Sequence, residues 1–279
     1  MLAQHGYAIV NTGGMREDDS KALQAAFPIS PLVPGSLKSD AAEMPVLLAI
    51  DHLDDGQRKA LLARLKKVEE KNNAHDWPAC LIDAPEATHK GLALHLTRRL
   101  VLDSPRGKIF LRYFDPRVFP HLVRILPPER VCALFGPIQT WTIPFQKTWR
   151  SYKRPEITGI VPLHWWADAG QAGYILDGIT LTNAVLLRWC AYLGRDITPA
   201  GFDSLAAHID RALLAARHYG LHTKSDITAF ALHAIKHGEH FHRHPRIQRL
   251  LEKIRQQKTR YETATARFGK RDWAEISAA

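Results

Sequence analysis

Six side chains able to ligate metal or move protons crowd into a dozen residues: His233, His237, Glu239, His240, His242 and His244. His233 and His237 stand four apart, a spacing that places two ligands on one helix face, and His240 lies near enough to complete a three-ligand set. A zincin, however, needs Glu directly after the first His, and Ala234 occupies that place. His242 and His244 run up to Pro245, where a helix must stop. The cluster reads first as a polar helix end, with metal binding and a pH-sensitive surface as the other readings.

A second constellation lies in RYFDPRVFPHL, residues 112–122, where Asp115, Arg117 and His121 fall close together. A carboxylate beside an arginine can do acid–base or phosphate work. It can also build a turn: Asp115 as N-cap, Pro116 at the first helical position, and Arg112 or Arg117 paired with the carboxylate. The structural role is the expectation here. No GxSxG, phosphate-cradling GxxxxGK or GxGxxG is present, and Gly13-Gly14 is too short to count. Cys80, Cys132 and Cys190 are scattered without CxxC spacing, which points to buried thiols in a reducing cytosol. The expectation is a chain with no catalytic residue, no cofactor and no metal.

The elements around these residues divide the 279-residue chain. Tyr7–Val10, Val46–Ile50 and residues 78–83 are short apolar runs of strand character. Helices are expected over 19–27, over 57–73 with Leu61, Leu62, Leu65 and Val68 inward, and over 86–102 with Leu92, Leu96 and Leu100 stacked. Residues 108–114 alternate as a strand, followed by helical turns over 118–125 and 129–135, the latter closed by Gly136-Pro137. This predicts an α/β or α+β lobe with a small mixed sheet over residues 1–146. Residues 147–178 read as a linker with short strands, for instance 159–163, because prolines and glycines punctuate it around Trp165-Trp166. A helical lobe follows over 179–256: 183–193, a Thr198-Pro199-capped helix with Phe202, Leu205, Ile209, Leu213 and Leu214 on one stripe, and a helix after Thr223. Residues 257–279 lose the apolar stripe and read as a polar, partly disordered tail. The fold class expected is α+β in two lobes, mixed first and all-helical second.

The motif RYFDPRVFPHL, followed at this distance by LFGPIQTW, resembles a bacterial family of unknown-function domains that act as type VI secretion adaptors, or effector chaperones. The matching residues are Arg112, Tyr113, Asp115, Pro116 and Arg117 in the first half and Phe135, Gly136, Pro137 and Trp141 in the second. The resemblance extends loosely to Tyr7–Val10, to residues 45–48 and to the Tyr219–Ile227 passage. It implies a non-enzymatic cytoplasmic protein that binds a secreted effector and assists its loading onto the VgrG spike, and it assigns no role to the histidines.

Composition is compatible with this: 46% hydrophobic and 24% charged residues are ordinary for a globular chain. No apolar run approaches the roughly 20 residues of a membrane span, and the start of the chain lacks the pattern of a secretory signal. The net charge of +10 calls for a partner argument. Arg246, Arg249 and Lys253 head a basic helical stretch that reads as a solvated face, next as a site for an acidic protein, and last as a nucleic-acid surface, since no DNA- or RNA-binding signature accompanies it. Trp165 and Trp166 read first as packing between the lobes and second as candidate partner anchors, because tryptophan dominates interface hot spots. A nucleic-acid-binding protein and a histidine-based metal hydrolase are the two competing classes.

Overall fold

The computed structural model describes residues 4–13, 15–71, 79–104, 107–158, 169–256 and 259–278, and the chain divides into two compact units, residues 1–173 and 174–279. The fold is α+β. In the first unit the elements run β1 (Tyr7–Val10), α1 (Glu17–Ala26), β2 (Ile29–Pro31), β3 (Val46–Ala49), α2 (Asp55–Lys71), β4 (Cys80–Asp83), α3 (His89–Arg99), β5 (Val101–Ser104), β6 (Gly107–Phe110), α4 (Phe119–Ile125), α5 (Pro128–Phe135), β7 (Thr140–Phe145) and β8 (Thr148–Lys153). Among the described residues six strands form one sheet in the order β2-β3-β1-β4-β7-β8, while β5 and β6 make a separate two-stranded ribbon.

Every pairing among the described residues is antiparallel, so the expected mixed sheet is corrected. Alternation along the strands gives the sheet two faces. Ala8, Val10, Val46, Leu48 and Leu81 lie on one, packed with Leu23 and Phe27 at α1 and with Leu61 and Leu65 of α2. Leu62, expected inward, is exposed because it falls beside that stripe, not on it. Ile82, Trp141 and Tyr152, directly opposite one another across β4, β7 and β8, point to the second face.

Two sequence expectations change here. The strand expected over 108–114 ends at Phe110, pairs only with β5, and leaves the main sheet alone. Tyr113 and Phe114 are both buried, and adjacent residues cannot both face one side of a pleat, so the chain turns inward instead. The region read as a linker from residue 147 contains β8, paired with β7 over six residues through a turn with Gln146 at φ +55°. The first unit therefore runs well past residue 146. The expected strand at 159–163 lies outside the described residues.

The second unit contains α6 (Ala169–Leu193), which begins in the first unit's range, then α7 (Pro199–His218), α8 (Lys224–His237), α9 (Pro245–Arg255), α10 (Tyr261–Thr265) and α11 (Lys270–Ser277). Thr198 caps α7 by accepting a hydrogen bond from Gly201 N–H, with Pro199 at the first position. Gly220, at φ +81°, ends it in the left-handed conformation that a helix terminus favours. Thr223 caps α8 through Asp226 N–H. Along α7, Phe202, Ile209 and Leu213 are buried as expected, but Leu214 is exposed. The tail differs most from expectation. Tyr261, Thr265 and Ile276 are buried, Asp226 Oδ1 accepts a hydrogen bond from Glu262 N–H at 2.9 Å, and Arg246 pairs with Asp272 at 2.6 Å. Few apolar anchors suffice when buried polar bonds hold the backbone between them.

Candidate functional site

The residues of the two motifs converge on the second face of the sheet. Trp141, fully buried, meets Phe119 at 4.7 Å between ring centroids, Tyr113 edge-on at 5.7 Å and Phe135 edge-on at 5.9 Å. Such tilted and edge-to-face contacts suit the ring quadrupoles. Tyr113 donates its hydroxyl to Leu96 O at 2.9 Å, tying the cluster to α3, and burial raises its pKa well above the ordinary value. Burial likewise pushes the Cys80 thiol up to about 12, where it is inert as a nucleophile.

Asp115 is buried, and its carboxylate takes a forked pair from Arg117: Nε at 3.0 Å and Nη2 at 2.7 Å. It also accepts Arg117 N–H at 2.9 Å, and Arg112 Nη2 stands 3.7 Å away. Burial alone would raise its pKa, but the hydrogen bonds and charge of Arg117, with Arg112 behind, outweigh it and hold the carboxyl below its ordinary value. The expected capping bond is present in Arg117 N–H to Asp115 Oδ1, but the helix expected to begin at Pro116 begins later. The helix after the motif, α4, starts only at Phe119, with Val118 at its N-cap and no side-chain cap. Pro120 lacks an N–H, which does no harm only in a first turn, so the helix begins there and not at Pro116. Asp115 caps the turn that leads into that helix, its carboxylate accepting Arg117 N–H and its carbonyl accepting Val118 and Phe119 N–H.

The second motif is built around a chain reversal. The last carbonyls of α5 have no intrahelical donors. Two side chains of α3 supply them: His95 Nε2 donates to Leu134 O at 3.0 Å, and Arg99 donates to Ala133 O through Nη2 at 2.6 Å and Nε at 3.2 Å. Arg154 Nη1 reaches Gly136 O at 2.7 Å. The imidazole of His95 fills the space where a side chain at residue 136 would start, with Cε1 1.8 Å from the ideal Cβ position. Only glycine fits there, and its φ of +56° is one that glycine adopts freely. Burial, then the charge of Arg99, lowers His95 to about 4, so the ring is neutral near pH 7. These motif residues shape the scaffold.

The histidine cluster is brought together only in part. His233 shares a hydrogen bond with the Tyr261 hydroxyl at 2.8 Å and packs on Trp273 at 4.2 Å. His237 stacks on the same indole at 4.3 Å and bonds Ser277 Oγ at 2.8 Å. His240 is exposed and faces His242 instead. Burial, with His237 and Lys236 nearby, lowers His233 to about 3. Among the described residues no group of three or more His, Cys, Asp or Glu side chains is placed to hold a metal ion. The two rings serve as packing for the tail, whose Trp273 they clasp.

Of the proposed partner anchors, Arg246 is engaged internally with Asp272 and lies over Phe268 at 4.6 Å, whereas Arg249 and Lys253 are exposed on α9. Trp165 and Trp166 lie outside the described residues. The structure adds two surfaces that the sequence reading missed. On α6 and α7, Leu187 is 73% exposed, Tyr192 60% and Leu214 53%. The signal was present in α6, whose apolar residues occur on every side over residues 174–193, the pattern of a helix that is covered all round. In the first unit, a cleft of about 680 Å³ is lined by His5, Asp51, Asp83, Thr140, Ser151 and Lys153. Beneath it His5 Nε2 bonds Thr142 Oγ1, which bonds Ser151 Oγ, each at 2.8 Å. These residues are far apart in sequence, so no local motif could reveal them. Among the described residues, no helix is long and apolar enough to cross a membrane.

No curated protein and no solved structure matches the chain. Residues 7–133, from β1 into α5, match the model of one protein family, the Domain of unknown function (DUF4123); the span takes in Arg112, Asp115 and Arg117 and stops short of Gly136, Trp141 and the helical unit.

Proposed function

We propose that this protein is a non-enzymatic adaptor that binds a type VI secretion effector in the cytoplasm and assists its loading onto the VgrG spike. The observation that carries the reading is the family match across the residues holding the DPR motif, which is the motif by which the chain resembles adaptors of this kind. The geometry agrees with it: Asp115, Arg117 and Gly136 are spent on turns, and the exposed apolar side chains of α6 and α7 offer the kind of surface by which one protein holds another. The partner is an effector protein, and the spike protein joins as the destination of the cargo.

The test has two parts. A pulldown from the native host, washed in high salt and read by mass spectrometry, is expected to recover one large toxin-like protein together with VgrG. Deleting the adaptor gene is then expected to abolish export of that protein while the spike itself is still exported. Export of the captured protein at wild-type level in the deletion strain overturns the reading, as does recovery of nucleic-acid-linked material alone.

A further inference from the structure

The two short helices that end the second unit are held in unlike ways. α10 is anchored: Tyr261 and Thr265 are buried, Asp226 Oδ1 accepts Glu262 N–H, and Arg260 Nη2 reaches Thr223 Oγ1 at 2.9 Å and Ser225 Oγ at 3.1 Å. α11 follows after residues 266–269 and is held through side chains. Its Ile276 is buried and its Asp272 meets Arg246. Its Trp273 lies against the rings of His233 and His237, nearly parallel to the second at 9°. Ser277 Oγ, one turn on, shares a hydrogen bond with His237 Nδ1. The bond from Gly269 N–H to Asp272 Oδ2 that starts the helix belongs to α11 itself, so the helix keeps its cap when it swings away.

What the two histidines face decides how this contact responds to acid. From α8 itself Lys236 acts on both rings, and the rings stand 5.9 Å apart. α10 presents the Tyr261 hydroxyl, whose charged neighbour is Asp226, and the turn at Phe241–Arg243 presents the Phe241 ring. α11 presents Trp273 and Ser277, while its carboxylates pair elsewhere: Asp272 with Arg246, and Glu275 with Arg271 at 3.5 Å. The charges acting on the rings are positive, and a proton on either ring adds to them. We infer that α11 is a latch, closed over α8 while His233 and His237 are neutral and released when they take up protons, with α10 as its fixed mount. Both rings titrate below the ordinary 6.5 when the latch is closed, His233 at about 3, through burial first and those positive neighbours second. Opening therefore binds protons. Closure is at full strength above about pH 6.5 and weakens as pH falls from there towards about 3. Between pH 7 and pH 5 the return of His233 alone to its ordinary value weakens closure by up to about 25-fold. Asp272, held below its ordinary value by Gly269 N–H and then by Arg246, stays charged over that range, so its pair with Arg246 is not what lets go. Opening bares Trp273 and Ile276, three apart on one helix face, as an apolar surface. This assignment goes beyond the adaptor reading and is tested without an effector, so either can fail alone.

The test is hydrogen exchange of the full-length protein at pH 7 and pH 5, corrected for the chemical exchange rate at each pH. The amides of α11 are expected to lose about tenfold or more of their protection between the two, while those of α7 and α8 keep theirs. His233→Phe with His237→Phe leaves two rings on the indole and removes both titrating groups, and α11 is expected to stay protected at pH 5 in this variant. His237→Phe alone, at a half-exposed position, is the second variant, with a smaller acid response than the wild type. Trp273→Ala is expected to open α11 already at pH 7 and to leave the protection of α10 in place. Three results overturn the inference. The first is α11 protection untouched by acid, the outcome if an imidazolium settles on the indole as a cation on a π face. The second is a loss of equal size in α7 and α8, which is unfolding of the whole unit. The third is the wild-type acid response persisting in both phenylalanine variants.

Discussion

His95 in the first unit and His233 in the second are both imidazoles kept neutral by burial, yet they are held in opposite ways. His95 sits among backbone: it donates to Leu134 O, beside Arg99 on Ala133 O. His233 sits among rings, between Tyr261 and Trp273. The first does hydrogen-bonding work that an apolar ring cannot replace; the second does packing work that one can. Polar residue types crowded together in sequence thus say little about chemistry until it is known what each is bonded to.

This contrast can be broken by mutation, and the largest effect is expected at the glycine that His95 occupies. Gly136→Ala places a methyl group inside the imidazole and holds a side-chain residue at φ +56°, at an expected cost of about 3 kcal/mol, read by chemical denaturation. Adding His95→Ala should recover part of that loss, since the clash but not the backbone strain is removed; strict additivity in the double-mutant cycle would show that the two do not interact. His95→Phe comes next, about 2 kcal/mol, because it strands a buried carbonyl at the end of α5. His233→Phe keeps the ring packing but leaves the buried Tyr261 hydroxyl without that hydrogen bond, with an expected cost of about 1 kcal/mol. Equal losses at His95 and His233 would erase the distinction drawn between the two units.

Acid sharpens the comparison further. Both rings have folded-state pKa values below the ordinary 6.5, to about 4 for His95 and about 3 for His233, so the unfolded chain binds protons that the folded one refuses. Their contribution is complete above about pH 6.5 and is lost as pH falls from there towards those values. Thermal melts between pH 7 and 4.5 should show a falling melting temperature in the wild type and a shallower fall in His233→Phe. An identical slope in that variant counts against the assignment. The smallest effect is expected from Arg249→Glu with Lys253→Glu, within about 0.5 kcal/mol, because both side chains are exposed on α9.

How much of this was legible in the chain follows from what each element depends on. β1, β3 and β4 could be read as short apolar runs because both faces of the central sheet are buried. β2 and β7–β8 could not. Pro31 and Pro144 sit inside strands, and the turn at Gln146 carries neither Gly nor Asn, so the usual signals are missing or reversed. α6 was found only in its last half because Gly170, Gly173 and Gly178 read as loop. The tail helices depend on Asp226, Arg246 and His233, contacts between distant residues that periodicity does not register. For the site, the DPR and GP motifs were recognised as structural units, but their real partners, His95, Arg99 and Arg154, come from other parts of the chain. The cleft at His5 and Ser151 is a product of the sheet alone.

The sheet order carries a consequence for how this molecule is made and cut. β1 ends up in the interior of the sheet, and β4 gains its outer neighbour only when β7 follows more than fifty residues later. A chain released after residue 133 would hold every matched family residue and yet lack Trp141, β7 and β8. Its β4 edge would stand open, with Leu81 and Ile82 waiting for a strand that never arrives. The unit that folds is therefore larger than the unit that the family match delineates, and a fragment trimmed to that match would be an aggregation hazard.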